Sequence, residues 1–358
     1  MINKTLIKYL EENIIPLYEN LDLAHRSNHV FDVINYSLEI AKDYDVNYEM
    51  VYTVAVFHDV GLIKDRKTHH IVGAEMLMND SFINSYFNED EVKIMAHAVM
   101  DHRASSKNEP RSIYGKIIAE ADRSNSMDDI IERSFLFGFS RGIISFEESF
   151  IRIYEHIIEK YGENGYMKVY LKTRRTSEML DNLRKLVSDK ASFKQYSYKL
   201  YKKLINQNLK IVKYHDKYID EMYQLFRETI LNVNSFDYNE EQINAWINNV
   251  ELNKWKDRFN KNYTVIALID NKVLGFADID ETNYFDHLYV KYDFINLNIG
   301  KRLADEIERK ATGNITTNAS ITAKDFFTKR KYIVIKEQEV KISNVALVNY
   351  KMIKYQDK

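Results

Sequence analysis

The sequence predicts two domains, an all-α helical bundle followed by an α/β domain built on a mixed sheet. Up to about residue 205, apolar residues recur at i, i+3, i+4 and i+7, in segments such as HVFDVINYSLEIAKDY, YEMVYTVAVFHDV, EDEVKIMAHAVMDH, SIYGKIIAEADR and SFEESFIRIYEHIIEKY. From about residue 208 the rhythm shortens to runs rich in β-branched and aromatic residues: LKIVKY, YTVIALID, KVLGFADID, YFDHLYV, NITTNAS, YIVIKEQEVKI and VALVNYKMI. Helical segments, DKYIDEMYQLFRETI and GKRLADEIERKA, alternate with those runs. The length of 358 residues allows two domains at roughly 150 each, and 45% apolar residues suffice for packed cores.

Taken in order, the opening MINKTLIKYLEENIIPLYENL is an amphipathic helix interrupted by acids. It lacks the apolar core and small-residue cleavage site of a secretion signal. Asn88 stands three residues before Glu91 and predicts a capping box at the start of a helix. LRKLVSDKASFKQYSYKLYKKLIN, residues 183–206, reads as one basic, Tyr-rich helix with a solvated charged face. The expected organisation is a helical domain over residues 1–182, a linking helix over 183–207 and an α/β domain over 208–358. Asp270-Asn271, between two strand-like runs, predicts a hairpin.

The formal charge of -2 provides no basic field, so neither nucleic acid nor an anionic membrane is an expected partner. The absence of cysteine excludes disulfides and thiolate chemistry and fits a reducing cytoplasm. No apolar run reaches the roughly 18 residues of a membrane span. The expected location is cytoplasmic.

Seven of the 10 histidines precede residue 103: His25, His29, His58, His69, His70, His97 and His102. A lone histidine on an apolar helix face needs only hydrogen-bond partners. Several histidines with carboxylates, one per helix, let a bundle hold a Mn, Fe, Zn, Co or Mg-type ion in its core. The order His29, then His58-Asp59, then Asp122 in GKIIAEADRS resembles the HD-domain superfamily of metal-dependent phosphohydrolases, over roughly residues 20–130. The resemblance implies an HD-type bundle with His29, His58, Asp59 and Asp122 as metal ligands, and Asp59 also beside the attacking water. Gly61 is expected to let the chain leave the helix after the doublet. KTHHIVGAEML and AHAVMDHRAS resemble the extra histidine positions of two-metal members, which implies His69 and His102 at a second ion. The alternative is that these histidines, with Arg66, Arg103 and Arg111, contact substrate phosphate directly. The GYP signature of cyclic-dinucleotide phosphodiesterases is absent.

In the second half, a helix opening directly after a strand and loop aims unpaired N–H groups at whatever lies above it. DHLYV, GKRL, NITTNASITAKDFFTKRKY and KISNVALVNYKMIK together resemble the GNAT superfamily of acetyl-CoA-dependent N-acetyltransferases. The resemblance implies a strand Phe285–Val290 that splays from its neighbour, with Leu288 and Val290 offering backbone N–H groups to the thioester. It also implies a loop in which Asn296, Asn298, Ile299, Gly300 and Lys301 cradle the CoA pyrophosphate. Four departures stand out. Ile295 and Asn298 occupy positions where the family has Gln or Arg and Gly. Lys331, before Tyr332, replaces a glycine, and Phe327 replaces a tyrosine. Asn tolerates the positive φ such a turn demands. Asp278, Asp280, Asp286 and His287 are candidates for the base that deprotonates the amine, and Tyr332 for the acid that protonates the thiolate. Their plain alternatives are solvent-facing carboxylates and a core aromatic.

The expected function is bifunctional: an HD-type phosphohydrolase of a small phosphorylated or nucleotide-like substrate, and an acetyl-CoA-dependent N-acetyltransferase acting on an amine acceptor. The alternative is a ligand sensor whose second domain binds CoA without turnover.

Overall fold

The computed structural model describes residues 2–21, 27–103, 108–123 and 126–356. It divides into two compact units, Met1–Tyr201 and Lys202–Lys358. The first is helical: α1 (Lys4–Asn13), α2 (Ser27–Ala41), α3 (Tyr48–Phe57), α4 (His69–Asn79), α5 (Ser81–Tyr86), α6 (Glu89–Asp101), α7 (Ile113–Arg123), α8 (Met127–Phe139), α9 (Phe146–Tyr161) and α10 (Arg174–Ser188). A last helix, α11 (Lys190–Asn208), runs across the boundary between the units.

α3 is apolar on every side, and every residue from Met50 to Phe57 is buried, so it forms the centre of the bundle. The capping box at Asn88 and Glu91 opens α6. Residues 183–206 are not one helix. Asp189 breaks the run, and its carboxylate accepts from the Ala191 amide and the Ser192 hydroxyl, which starts α11 afresh.

Gly61 also behaves differently from the expectation. Its φ is not positive. It lies in a short 3-10 turn, Val60–Ile63, pressed against α4. A Cβ at Gly61 would stand 2.0 Å from the His69 carbonyl oxygen and 2.7 Å from the Gly73 amide nitrogen. A Cβ at Gly73 would stand 2.9 Å from the Phe57 carbonyl oxygen. The two glycines let the chain after α3 pack main chain to main chain against α4.

The second unit contains β1 (Lys210–Lys213), α12 (Ile219–Asn232), α13 (Glu240–Asn248), α14 (Leu252–Lys261), β2 (Tyr263–Ile269), β3 (Lys272–Ile279), β4 (Phe285–Val290), α15 (Ile299–Lys310), β5 (Ile315–Ser320), α16 (Ile321–Lys329), β6 (Ile333–Ile342) and β7 (Val345–Lys354). Two antiparallel sheets, in orders β1-β2-β3-β4 and β5-β7-β6, meet at a single parallel bridge, Tyr284 to Thr316. Beyond that bridge β4 and β5 part. The β2–β3 hairpin turns at Asp270 and Asn271, with φ of 46° and 64°, and β6–β7 turns at Ser343 and Asn344, with φ of 48° and 69°. Glu308 on α15 accepts from Arg330 at 2.8 Å and Lys354 at 2.6 Å, which fastens the helix to β7 and to the end of α16. Among the described residues, no helix is long and apolar enough to cross a membrane.

Gly61→Ala is expected to cost about 1–3 kcal/mol by overpacking, with a clear fall in Tm followed by circular dichroism. Gly313→Ala, where the nearest atom lies 3.4 Å from the new Cβ, is the control and should remain within about 0.5 kcal/mol of wild type.

Candidate metal centre and a second candidate cleft

The His-Asp doublet follows α3, where the last carbonyls of the helix have no partner within it. The Nδ1–H of His58 donates to the Ala55 carbonyl at 2.7 Å. His102, just past α6, makes the same bond to Val99 at 2.6 Å, and His69, opening α4, to Arg66 at 2.7 Å. Each bond fixes the tautomer, so that Nε2 presents a lone pair to the interior.

These nitrogens surround one carboxylate. Asp59 Oδ2 lies 3.4 Å from His58 Nε2 and 3.7 Å from His29 Nε2. His29 Nε2 lies 3.3 Å from both His58 Nε2 and Asp122 Oδ1. The other oxygen, Asp59 Oδ1, lies 3.3 Å from His69 Nε2 and 3.4 Å from His102 Nε2, which are 3.3 Å apart. Asp59 therefore bridges two donor groups, His29-His58-Asp59-Asp122 and Asp59-His69-His102.

The donor chemistry fits cations. In the second group both imidazoles commit Nδ1–H to carbonyls, so their Nε2 lone pairs face each other and a carboxylate oxygen. Burial, reinforced by His102, pushes the His69 pKa down to about 4, although Asp59 opposes it. That ring is neutral at neutral pH. Burial pushes the Asp59 carboxyl up, but His58, His102 and His29 outweigh it and hold it well below the usual range. Asp122 is lowered too, by His29 and Arg133 against the effect of burial. Donors about 2.0–2.1 Å from a common tetrahedral ion stand roughly 3.3–3.4 Å apart, which matches each of these edges except the 3.7 Å from His29 to Asp59.

The supports were not read from the sequence. Tyr18, fully buried, donates its hydroxyl to the Val56 carbonyl at 2.8 Å and accepts from the Asp59 amide at 3.2 Å, holding the turn that carries the doublet. Arg123, one residue after Asp122, is buried and donates to the Lys168 carbonyl at 2.6 Å. Of the other expected residues, His97 is exposed, His70 meets His69 edge to face outside both donor groups, and His25 lies outside the described residues. Arg111 is held bidentate by Asp101, and Arg103 donates to the Lys67 carbonyl. Arg66 lines a cavity that also reaches Asp122.

In the second unit, the diverging edges of β4 and β5 and the start of α15 enclose a cleft of about 350 Å³. Leu288, Val290, Asn296, Asn298, Ile299, Gly300 and Lys301 all line it. The Lys291 amide bonds back to β3 at Leu274, so alternation turns the Leu288 and Val290 amides toward the open edge. Asn298 is the N-cap of α15, left-handed at φ 65°, and makes no side-chain capping bond. Asn296 is left-handed as well, at φ 66°. Lys331, the expected glycine position, has φ 69°.

The candidates for proton transfer separate. Asp286 lines the cleft and accepts from Arg258 at 2.7 Å. His287 does not line it. Strand alternation turns its ring into the core beside Trp255 and Phe259, where it bonds Asp278 at 2.7 Å. Asp278 also accepts from Asn262, and Asp280 closes a turn by accepting from Thr282 and Tyr284. The cluster Asp278-Asp286-His287 is thereby accounted for by hydrogen bonds and an ion pair. Tyr332 is buried against Phe327, outside the cleft lining, and burial drives its hydroxyl far up. Phe327 itself lines the cleft.

Residues 26–127 match the HD domain family model and residues 234–354 the acetyltransferase (GNAT) domain model. The chain is 26% identical over 145 residues to the uncharacterized N-acetyltransferase YafP of Escherichia coli K12, spanning 40% of this chain and 95% of that protein. It is 26% identical over 101 residues to an uncharacterized protein of Clostridium beijerinckii, spanning 27% of this chain and 64% of the relative. Similar solved structures include a GCN5-related N-acetyltransferase from Rhodopseudomonas palustris, at 28% identity and TM-score 0.40 over 41% of this chain and 95% of that one. Another is the PaiA N-acetyltransferase from Thermoplasma acidophilum in complex with coenzyme A, at 19% identity and TM-score 0.35 over 41% of this chain and 99% of that one.

Asn298→Gly should preserve thermal stability, because glycine adopts the left-handed conformation freely, whereas Asn298→Val should cost about 1–2 kcal/mol. Thermal unfolding of both variants checks this.

Proposed function

We propose, for a chain that carries an HD domain and a GNAT acetyltransferase domain, a bifunctional enzyme: a metal-dependent phosphohydrolase in the first unit and an acetyl-CoA-dependent N-acetyltransferase in the second. The observation that carries the first activity is the Asp59 carboxylate bridging two groups of inward-facing donors. His29, His58, Asp59 and Asp122 would hold one divalent ion, and Asp59, His69 and His102 a second. Bound there, such ions lower the pKa of water toward ~7 and neutralise phosphoryl oxygens. The chain's own part is positional. The Nδ1–H bonds hold three imidazoles in one tautomer, Tyr18 holds the doublet's turn, and Asp59 would lie beside the water that attacks phosphorus.

Several features support CoA in the second cleft: uncapped amides at the start of α15, positive φ at Asn296 and Asn298, and the free edge of β4. Unpaired helix N–H groups favour a pyrophosphate, and the Leu288 and Val290 amides face the place of the thioester. Asp286 remains the candidate base for the incoming amine. A second reading, CoA binding without turnover, is favoured by the placement of His287 and Tyr332 outside the cleft lining. A cytoplasmic location belongs to the same proposal.

Asp59→Ala should abolish phosphate release from p-nitrophenyl phosphate and remove both ions, as counted by elemental analysis, while circular dichroism stays native. His29→Ala and His102→Ala should each lower the metal stoichiometry by one. Full metal content in Asp59→Ala overturns the ligand set. For the second unit, calorimetry with CoA and turnover of acetyl-CoA against an amine panel decide between the readings. Turnover with any amine rejects the sensor, and tight CoA binding without turnover rejects the transferase.

A further inference from the structure

Asp122 has a second neighbourhood. Besides its place among the inward-facing donors, it lies on the wall of a cavity of about 330 Å³ between α8 and α9. The cations on that wall are Arg66, Arg133, Arg152 and Lys160, with His156, and Asp122 is the one carboxylate among the lining residues. Arg152, His156 and Lys160 are spaced by four along α9, so they share one face of the helix. None of Arg133, Arg152, His156 and Lys160 falls within the region matched by the HD family model.

The cations are arranged at a cost. The guanidinium carbons of Arg66, Arg141 and Arg152 stand 4.6, 3.5 and 5.5 Å from the centroid of one ring, Phe137. Arg152 donates to the Ser134 carbonyl, but its Nε is buried with no hydrogen-bond partner. Among the described residues, Arg133 pairs with Asp122 at 3.6 Å and Lys160 interacts with the Tyr161 hydroxyl and with the Asp122 charge, while Arg152 has no carboxylate partner. Like charges crowded into a partly desolvated cavity repel one another, and an unmade bond from a buried guanidinium is expensive. An anion that accepts from Arg152 and Lys160 relieves both. A single phosphoryl group at Asp59 and Asp122 would already be met by the ions those donors would hold. The excess of positive charge farther along the wall requires further negative charge on the same molecule.

We propose that the α8/α9 cavity binds a second phosphoryl group of the substrate. The substrate class is then a small molecule with two phosphoryl groups, one beside Asp59 and Asp122 and the other against Arg152 and Lys160. This rests on the reading of the first unit as a phosphohydrolase.

The test is calorimetry of methylenediphosphonate and methylphosphonate on the full chain and on Arg152→Gln and Lys160→Met. Native helicity is checked for each by circular dichroism. The wild type is expected to bind the diphosphonate at least tenfold more tightly than the monophosphonate, and each cavity variant to lose about tenfold of the diphosphonate affinity, as for one charge-assisted contact. If Arg152→Gln fails to fold, Lys160→Met decides. Chelation by the ions alone would leave the preference unchanged in the cavity variants, so its fall in Arg152→Gln and Lys160→Met separates the cavity from simple chelation. Equal affinities in the wild type, or an undiminished preference in the folded cavity variants, each overturn the proposal. A preference that persists in a wild-type protein releasing no phosphate removes the hydrolase reading and leaves the cavity standing.

Discussion

The helical unit depends on one electrostatic arrangement: the Asp59 carboxylate with imidazole nitrogens converging on each of its oxygens. Buried lone pairs do not gather without something positive to face. The surrounding helices pay for this geometry with groups they would otherwise leave unpaired. His58 and His102 each follow the end of a helix and return Nδ1–H to a carbonyl of its last turn, Ala55 or Val99. One bond thus caps a helix and orients a donor, which explains why these histidines stand at helix ends and not in the middle of helices.

Much of this was legible in the sequence because the chemistry needs particular residue types. His29, the His58-Asp59 doublet, Asp122, His69 and His102 converge as their order along the chain implied. Tyr18 and Arg123 were not legible. Each acts through hydrogen bonds to main-chain groups distant in sequence, and such bonds leave neither periodicity nor motif. The stripe Arg152, His156 and Lys160 did leave a signal, a spacing of four within an amphipathic helix, but a basic stripe reads first as a solvated face. Only the cavity between α8 and α9 distinguishes the two.

The second unit illustrates the opposite case, in which backbone outweighs side chain. The residues expected around the phosphate loop line one cleft although the family's glycine is missing, because Asn298 takes the left-handed conformation in its place. Asn296 takes it too, which the sequence did not signal. Residue type misled at His287 and Tyr332. Both are chemically capable, but one turns with strand alternation into an aromatic core and the other packs beneath Phe327. A titratable side chain near a site in sequence has an even chance of pointing away from it on a strand, and only packing decides which.

The contact of Gly61 and Gly73 has a consequence for how such a molecule can change. Where two segments touch through their main chains, any side chain larger than hydrogen at the contact pushes them apart, so the spacing of His58-Asp59 from His69 holds only while glycine stands at both positions. The far wall, made of long side chains on α8 and α9, carries no such constraint. Divergence among descendants of this chain should therefore collect on that wall, with new chemistries of recognition appearing around a donor cluster that stays the same.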